Sequence, residues 1–337
     1  MQSPSFPTSF SLEPFRPARG FANNHVQTVA AAVLKPTGGL QFRRVRIDTP
    51  DGGFIDLDFP QVAGCDLDQD SPLILLIHGL EGSARRPYAC ETYRQLAQRG
   101  MRAVGMNFRS CGGEMNRTAR FYHGGATDDV ALVHDWLDRQ FPGASGGAVG
   151  VSLGGNVLLK YLGELGASRV DRWSAAAVIS PPFDLALGAA LDDGKTGRLY
   201  TFSFLRSLKA KAKASAALID GIVDMEKALQ AQTIWDFDEA FTAPLHGFRS
   251  AHEYYTRCSS VHFLEAIRLP TLVVRSLDDP VIPRADIPHR KLEDNPFLLP
   301  AITDFGGHCG WMERERIGRF RFWAERQVAA FFASHLM

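Results

Sequence analysis

The feature that most constrains the fold is a series of six short apolar segments separated by stretches with helical character. The apolar segments are PLILLIHG, RAVGMNF, GGAVGV, SAAAVIS, TLVVRS and PAITDF, at 72–79, 102–108, 146–151, 174–180, 271–276 and 300–305. Helix-like segments lie between most of them, at 88–99, 127–140, 154–165 and 284–293, and a last one follows at 315–335. Short strands that are apolar on both faces and alternate with helices indicate a parallel sheet covered on both sides.

Two further strands precede this series. QFRRVRI (41–47) and GFIDLDF (53–59) alternate apolar and polar residues around a TPDGG turn, which is typical of a half-exposed hairpin. Together the patterns predict an α/β protein with an eight-stranded, mostly parallel sheet and helices on both faces. The opening residues 1–40 are rich in proline and asparagine, and we interpret them as an irregular arm that packs on this core.

The interval 181–270 is much longer than a single connecting helix requires. A structureless loop of that length is uncommon inside a domain, and 198–230 has an amphipathic helical pattern. We therefore predict a core formed by 41–185 and 257–337, with 186–256 inserted as a helical cap. An apolar stripe in the cap indicates packing against the protein itself, with contact to lipid as the alternative. It consists of Leu199, Phe202, Leu205 and Leu208.

Composition excludes several classes of protein. The 37 basic and 37 acidic residues balance, which argues against binding to nucleic acid. The N-terminus has no signal-peptide pattern, and its longest apolar run, VAAAVL at 29–34, is too short to span a bilayer, so no transmembrane segment is expected. Five scattered cysteines without CxxC spacing indicate reduced thiols in a cytoplasmic protein, and Cys111 is interpreted as a packing residue. The histidines show no metal-binding spacing, so neither a metal nor another cofactor is expected.

The segment GAVGVSLGGN (147–156) contains a candidate nucleophile, Ser152. Gly150 and Gly154 complete a G-x-S-x-G pattern, in which a sharp turn from strand to helix projects the serine hydroxyl outward. The pattern alone is weak, because an ordinary tight turn with an incidental serine fits it equally well. Its position after a buried strand and before a helix favours the catalytic interpretation.

A base and an acid follow in the order expected for such a serine. Asp279 in RSLDDPVIP (275–283) and His308 in DFGGHCGW (304–311) each come after an apolar strand, which gives the chain order Ser, Asp, His. Parallel sheets bind ligands at this carboxyl edge. Asp278 competes with Asp279 for the acid role. We prefer Asp279, because it directly begins the DPVIP turn.

Two backbone amides are candidates for an oxyanion hole. Leu153 follows the nucleophile, and Leu80 lies in LLIHGLEGS (75–83), where the strand ends at His78 and Gly79. We interpret the His78 side chain as a group that orders this loop.

Several longer motifs carry a resemblance to a known family. They are GFANNHVQT (20–28), HGLEGS (78–83), NFRSCGGEMNRTARFYHGGATDDV (107–130), GVSLGGN (150–156), RCSSVHFLEAIRLPTLVV (257–274), SLDDPVIP (276–283) and GGHCGW (306–311). The chain resembles α/β-hydrolases of the YheT-like branch, which is related to medium-chain esterases and phospholipid hydrolases of yeast and mammals. The resemblance implies the α/β-hydrolase fold and a serine esterase with Ser152, Asp279 and His308 as its triad. It further implies a small-molecule partner, a short- to medium-chain acyl ester, with lipid-derived esters in the same class.

Two alternatives remain open at this level. The first is an acyltransferase that passes the acyl group from the same serine to an alcohol, and the second is a catalytically silent binding protein on this fold. His123 and Asp128 have the H-x4-D spacing of some acyltransferases. We instead expect Asp128 or Asp129 to cap the helix at 127–140 and His123 to order the preceding loop. The sequence leaves the oligomeric state open.

Overall fold

The centre of the molecule is an eight-stranded sheet, seen in a computed structural model that describes residues 10–166, 173–190, 195–316 and 319–337. The strands are β1 (Leu40–Asp48), β2 (Phe54–Val62), β3 (Leu73–Ile77), β4 (Arg102–Asn107), β5 (Gly146–Val151), β6 (Trp173–Ile179), β7 (Thr271–Ser276) and β8 (Leu298–Thr303). They lie in the order β1-β2-β4-β3-β5-β6-β7-β8. Pairs β1–β2 and β2–β4 are antiparallel, and the pairs from β4 to β8 are parallel. The predicted eight-stranded, mostly parallel sheet is confirmed.

Helices cover both faces of this sheet. They are α1 (Asn24–Leu34), α2 (Pro87–Ala97), α3 (Thr127–Gln140), α4 (Leu153–Leu165), α5 (Leu185–Ala189), α6 (Lys195–Ala214), α7 (Met225–Gln230), α8 (Ile234–Phe237), α9 (Ala243–Leu245), α10 (Ala251–Cys258), α11 (His289–Asp294) and α12 (Trp323–Leu336). Side chains of β3 alternate between two cores: Leu75 packs with α3 and α4, and Leu76 packs with α2 and α12. This burial on both faces explains why the strand sequences are almost continuously apolar.

Between β6 and β7 the chain forms a group of mostly short helices, α5 to α10. The segment 198–230, predicted to be helical, is interrupted: α6 ends at Ala214, a 3-10 turn covers Ala216–Leu218, and α7 begins at Met225. These helices share a small apolar core that includes Phe237 and Phe241. The division into arm, core and cap stays a prediction, and residues 1–9 of the arm and 191–194 of the cap lie outside the described residues.

The N-terminal segment is more regular than predicted. Residues of the supposed irregular arm form α1, whose first turn is capped by the Asn23 side chain, which accepts a hydrogen bond from the amide of Val26 at 3.1 Å. Gln27 lies on the buried side of α1, and its side chain accepts a hydrogen bond from the amide of Met312 at 2.7 Å. The asparagine counted as loop composition is therefore a helix cap.

The prediction of a helix over 315–335 was wrong in its first part. Two strands, β9 (Met312–Arg316) and β10 (Arg319–Phe322), pair antiparallel, and α12 begins only at Trp323. Met312 and Phe322 pack beneath α1. The charged residues ERER, at 313–316, suit an exposed strand as well as a helix, so the sequence pattern did not distinguish the two. Residues 317 and 318 lie outside the described residues. The predicted helix at 284–293 is likewise a 3-10 turn, Arg284–Asp286, followed by α11.

Candidate active site

Three polar side chains meet at the carboxyl edge of the sheet. Ser152 follows β5, Asp279 follows β7 and His308 follows β8. His308 Nε2 lies 3.0 Å from Ser152 Oγ, and His308 Nδ1 lies 2.8 Å from Asp279 Oδ2. The chain thus brings the three sequence-predicted side chains into one hydrogen-bonded line.

Ser152 occupies a strained turn between β5 and α4. Its backbone has φ 53° and ψ −124°, in a region that residues with a Cβ rarely adopt. A Cβ on Gly150 would lie 2.5 Å from the carbonyl oxygen of Gly154, and one on Gly154 would lie 2.3 Å from that of Ile77. A Cβ on Gly79 would lie 2.9 Å from the Cβ of Ser152. The glycines therefore permit the close packing that holds the serine hydroxyl at the sheet edge.

Asp279, not Asp278, faces the imidazole. Asp279 Oδ1 accepts the amides of Val281 and Ile282 at 2.8 and 3.0 Å, which leaves Oδ2 for His308. Asp278 Oδ1 instead accepts the amide of Gly307 at 2.9 Å. The geometry favours the preferred assignment, because these amide bonds fix the Asp279 carboxylate in the orientation that His308 requires.

A buried arginine was missed by the sequence reasoning. Arg275 in β7 is fully buried, and its Nη1 lies 2.6 Å from Asp279 Oδ2, the same oxygen that contacts His308. Burial raises the pKa of Asp279, but His308 and Arg275 lower it below its ordinary range. The only sequence signal was a charged residue within an otherwise apolar strand, four positions before the acid.

The loop that carries His308 is held by the N-terminal segment. The His308 amide donates to Thr28 Oγ1 at 2.9 Å, so α1 supports the loop that carries the base. Burial lowers the pKa of His308, but Asp279 and Cys309 together raise it more, so the pKa lies above its ordinary value. The contact between α1 and the His308 loop was not predicted, because residues 1–40 were interpreted as an irregular arm.

The two predicted oxyanion donors border one cavity with Ser152. Leu80 and Leu153 both line it. Within the described ranges, neither backbone amide donates a hydrogen bond to another group of the chain. Leu153 is the first residue of α4, where free amides and the helix dipole favour a negative charge.

His78 lies beneath the loop that carries Leu80. It is fully buried, its Nδ1–H donates to the carbonyl of Gly79 at 2.7 Å, and its Nε2 accepts the amide of Phe108 at 3.1 Å. Burial lowers its pKa to about 3, so the ring is neutral. These contacts fit a role in ordering the loop.

Glu81, next to Leu80, connects this loop to α6. Its carboxylate accepts Lys211 Nζ at 2.9 Å and Tyr122 Oη at 2.7 Å, and it also accepts the hydroxyl of Ser207. Cys111 is buried in the core as expected, and its Sγ also lies 3.0 Å from Lys211 Nζ. Burial raises the pKa of the Cys111 thiol to about 11, so it is not a thiolate nucleophile.

The H-x4-D pair does not assemble. Asp128 pairs with Arg120, while His123 Nδ1 accepts the amide of Gly125 at 3.1 Å and so orders its loop. The expected cap of α3 was wrong: its N-cap is Ala126, without a side-chain bond, and Asp129 is drawn into a buried ion pair with Arg109 at 2.8 Å.

The predicted apolar stripe of α6 divides among three environments. Leu199 and Phe202 are 65% and 64% exposed, Leu205 is buried among the helices, and Leu208 lines the cavity beside Ser152. The expectation that all four pack inward was therefore wrong for the first two. No helix of the described ranges has the length and apolar content needed to cross a membrane.

The fold and the sequence comparisons together define the class. The chain belongs to the α/β-hydrolase fold family, whose model matches residues 72–289. It is 33% identical to YheT of Escherichia coli (strain K12), a protein assigned as an esterase, over 96% of this chain and 94% of the other. It is 31% identical to phospholipase ABHD3 of Mus musculus, over 85% and 70%. The Pyrococcus furiosus esterase Pf2001 shares the fold, with a TM-score of 0.54 at 16% identity over 88% and 94%.

Proposed function

We propose that this protein is a serine hydrolase that cleaves carboxylic esters through an acyl-serine intermediate. The observation that carries the proposal is the hydrogen-bonded line from Ser152 through His308 to Asp279. A serine hydroxyl is a weak nucleophile at neutral pH until a base accepts its proton, and this arrangement provides that base. The esterase and phospholipase names of the two sequence relatives support the same reaction class.

In the first half-reaction, Ser152 Oγ attacks the ester carbonyl while its proton moves to His308 Nε2. Asp279 accepts the Nδ1–H of the imidazole, which fixes the tautomer and stabilises the positive ring. The proton on Nε2 then passes to the leaving alcohol. The acyl group remains on Ser152.

In the second half-reaction, water replaces the alcohol. His308 accepts a proton from the water, which attacks the acyl-serine, and then returns that proton to Ser152 Oγ as the bond to the acyl group breaks and the carboxylic acid leaves. The negative oxygen of both tetrahedral intermediates is held by the amides of Leu80 and Leu153. One such donor typically contributes about 3–4 kcal/mol to stabilisation of the transition state.

The cavity beside Ser152 supports a short- to medium-chain acyl ester as substrate, including esters derived from lipids. Its lining includes apolar side chains from several of the helices between β6 and β7, among them Leu185, Phe204, Leu208 and Ile234. Apolar walls bind a hydrocarbon chain because they remove it from water. Each methylene buried in this way contributes about 0.8 kcal/mol of favourable free energy. The cytoplasmic location inferred from the sequence stays a prediction.

The proposal is tested by hydrolysis of p-nitrophenyl esters from acetate to laurate, with Ser152→Ala and His308→Ala beside the wild type. We expect an optimum at short or medium chain length and a loss of about 10⁶-fold in kcat for Ser152→Ala. Ser203→Ala, at an exposed serine of α6, is the matched control. Turnover that requires an added alcohol would favour the acyltransferase. A folded but inactive wild type would favour the binding protein.

A further inference from the structure

The cavity that contains Ser152 has a carboxyl group in its wall. Most of the residues that line the cavity are apolar. Among the lining residues in the described part of the chain, Asp238 is the only one with a carboxyl group. Asp238 is only 9% exposed and begins a turn of π-helix, Asp238–Thr242. Single π-helical turns occur frequently at functional sites.

The carboxyl group of Asp238 is held by two hydroxyl groups. Thr242 Oγ1 donates to Oδ1 at 2.5 Å, and Tyr255 Oη donates to Oδ2 at 2.7 Å. Within the described part of the chain, no ion pair joins Asp238 to a cation, and burial raises its pKa to about 6. A buried carboxyl group without a cation is costly, so packing alone does not explain its retention.

His123 also lines this cavity. Its Nδ1 accepts the amide of Gly125, so the proton of the neutral ring lies on Nε2. Burial holds the pKa of His123 well below its ordinary value, which keeps the ring neutral. The cavity wall therefore includes an acidic residue, Asp238, and a neutral histidine, His123, among apolar side chains.

We propose that Asp238 is a specificity-determining residue that accepts a hydrogen bond from a hydroxyl group on the ester, so the substrate class is hydroxylated esters. The inference rests on the ester hydrolase proposed above. Each carboxylate oxygen has two lone pairs, and Thr242 and Tyr255 each occupy one of them. A substrate hydroxyl satisfies a remaining lone pair, whereas an unsubstituted alkyl chain excludes water and leaves that lone pair without a donor. Asp238 thus favours an ester that carries a hydroxyl group over the same ester without it.

The hydroxyl group has two chemical sources, the acyl chain and the alcohol. One arm of the experiment compares methyl octanoate with methyl hydroxyoctanoates that carry the hydroxyl at successive positions. The other arm compares propyl octanoate with monooctanoylglycerol. Released acid is titrated, and kcat/KM is measured for the wild type, for Asp238→Asn and for a control, Asp220→Asn. Asp220 is exposed and lies in the same insertion.

We expect the wild type and Asp220→Asn to prefer a hydroxylated ester by about tenfold or more in one arm, which identifies the source. We expect folded Asp238→Asn to lose most of that preference, whereas Asp220→Asn keeps the preference and hydrolyses p-nitrophenyl acetate as the wild type does. An active wild type without preference in either arm would overturn this inference and leave the proposed function standing. This outcome is measured on the wild type, so it does not depend on whether Asp238→Asn folds. A preference that survives in folded Asp238→Asn would also overturn it. A wild type that hydrolyses no ester would overturn the proposed function itself.

Discussion

At the residue scale, one oxygen of the Asp279 carboxylate contacts both the imidazole of His308 and the guanidinium of Arg275. Oδ2 lies 2.8 Å from His308 Nδ1 and 2.6 Å from Arg275 Nη1. The negative charge favours the protonated imidazole, whereas the guanidinium offsets part of that charge. The pKa of His308, which burial and Cys309 also affect, thus responds to the balance between the Asp279 charge and its offset by Arg275.

The first prediction concerns the pH dependence of kcat/KM. The neutral imidazole is the base, so the rate rises with pH as His308 loses its proton. Because the pKa of His308 is raised, the midpoint of this rise should lie above the ordinary histidine value of about 6.5. In Asp279→Asn the midpoint should fall and kcat should drop by about 10⁴-fold. A midpoint that Asp279→Asn leaves unchanged would contradict this electrostatic role.

The second prediction concerns Arg275. In Arg275→Met the Asp279 carboxylate loses the cation that offsets its charge, so the pKa of His308 and the midpoint of the kcat/KM profile should rise. The free energy of unfolding should fall by about 3–5 kcal/mol, because a buried carboxylate is left with one partner fewer. Urea titration and the pH profile measure the two effects. Arg275→Lys keeps the charge and should shift the midpoint less. An identical midpoint in folded Arg275→Met would refute the proposed balance.

At the element scale, the turn between β5 and α4 gives the third prediction. An alanine at Gly154 would bring its Cβ within 2.3 and 2.4 Å of two backbone oxygens, those of Ile77 and His78, which have little freedom to move. Gly154→Ala should therefore lower the free energy of unfolding by about 1–3 kcal/mol and reduce esterase activity. Gly38→Ala, with no atom within 4 Å of the new Cβ, is the control. Equal stability and activity in both variants would contradict the close packing of the turn.

The elements differ in how well they could be predicted. Strands β3 to β8 were found because burial on both faces leaves continuous apolar runs. Helix α1 was missed because Asn23, its cap, resembles a loop residue in sequence. Hairpin β9–β10 was missed because its alternating charges also suit a helix surface. In both cases the deciding contacts, such as Gln27 with Met312, join residues far apart in the chain.

At the scale of the whole molecule, topology explains why the line of Ser152, Asp279 and His308 could be predicted from the sequence. Parallel strands end at one edge, so polar residues that follow separate strands come together there. The cavity wall could not be predicted in the same way. Helical spacing grouped Leu199 with Leu208, but only the packing of the short helices decides which of them reaches the cavity. Asp238 and Arg275 were missed for the same reason, since burial and partners decide what a lone charged residue does.

The central claim is that Ser152 is activated as a nucleophile. The most direct measurement is reaction of the purified protein with a fluorophosphonate probe, followed by peptide mass spectrometry. We predict a covalent adduct on the Ser152 peptide of the wild type, none in Ser152→Ala and much slower labelling in His308→Ala. Absence of labelling in folded wild type, or labelling that persists in Ser152→Ala, would contradict it.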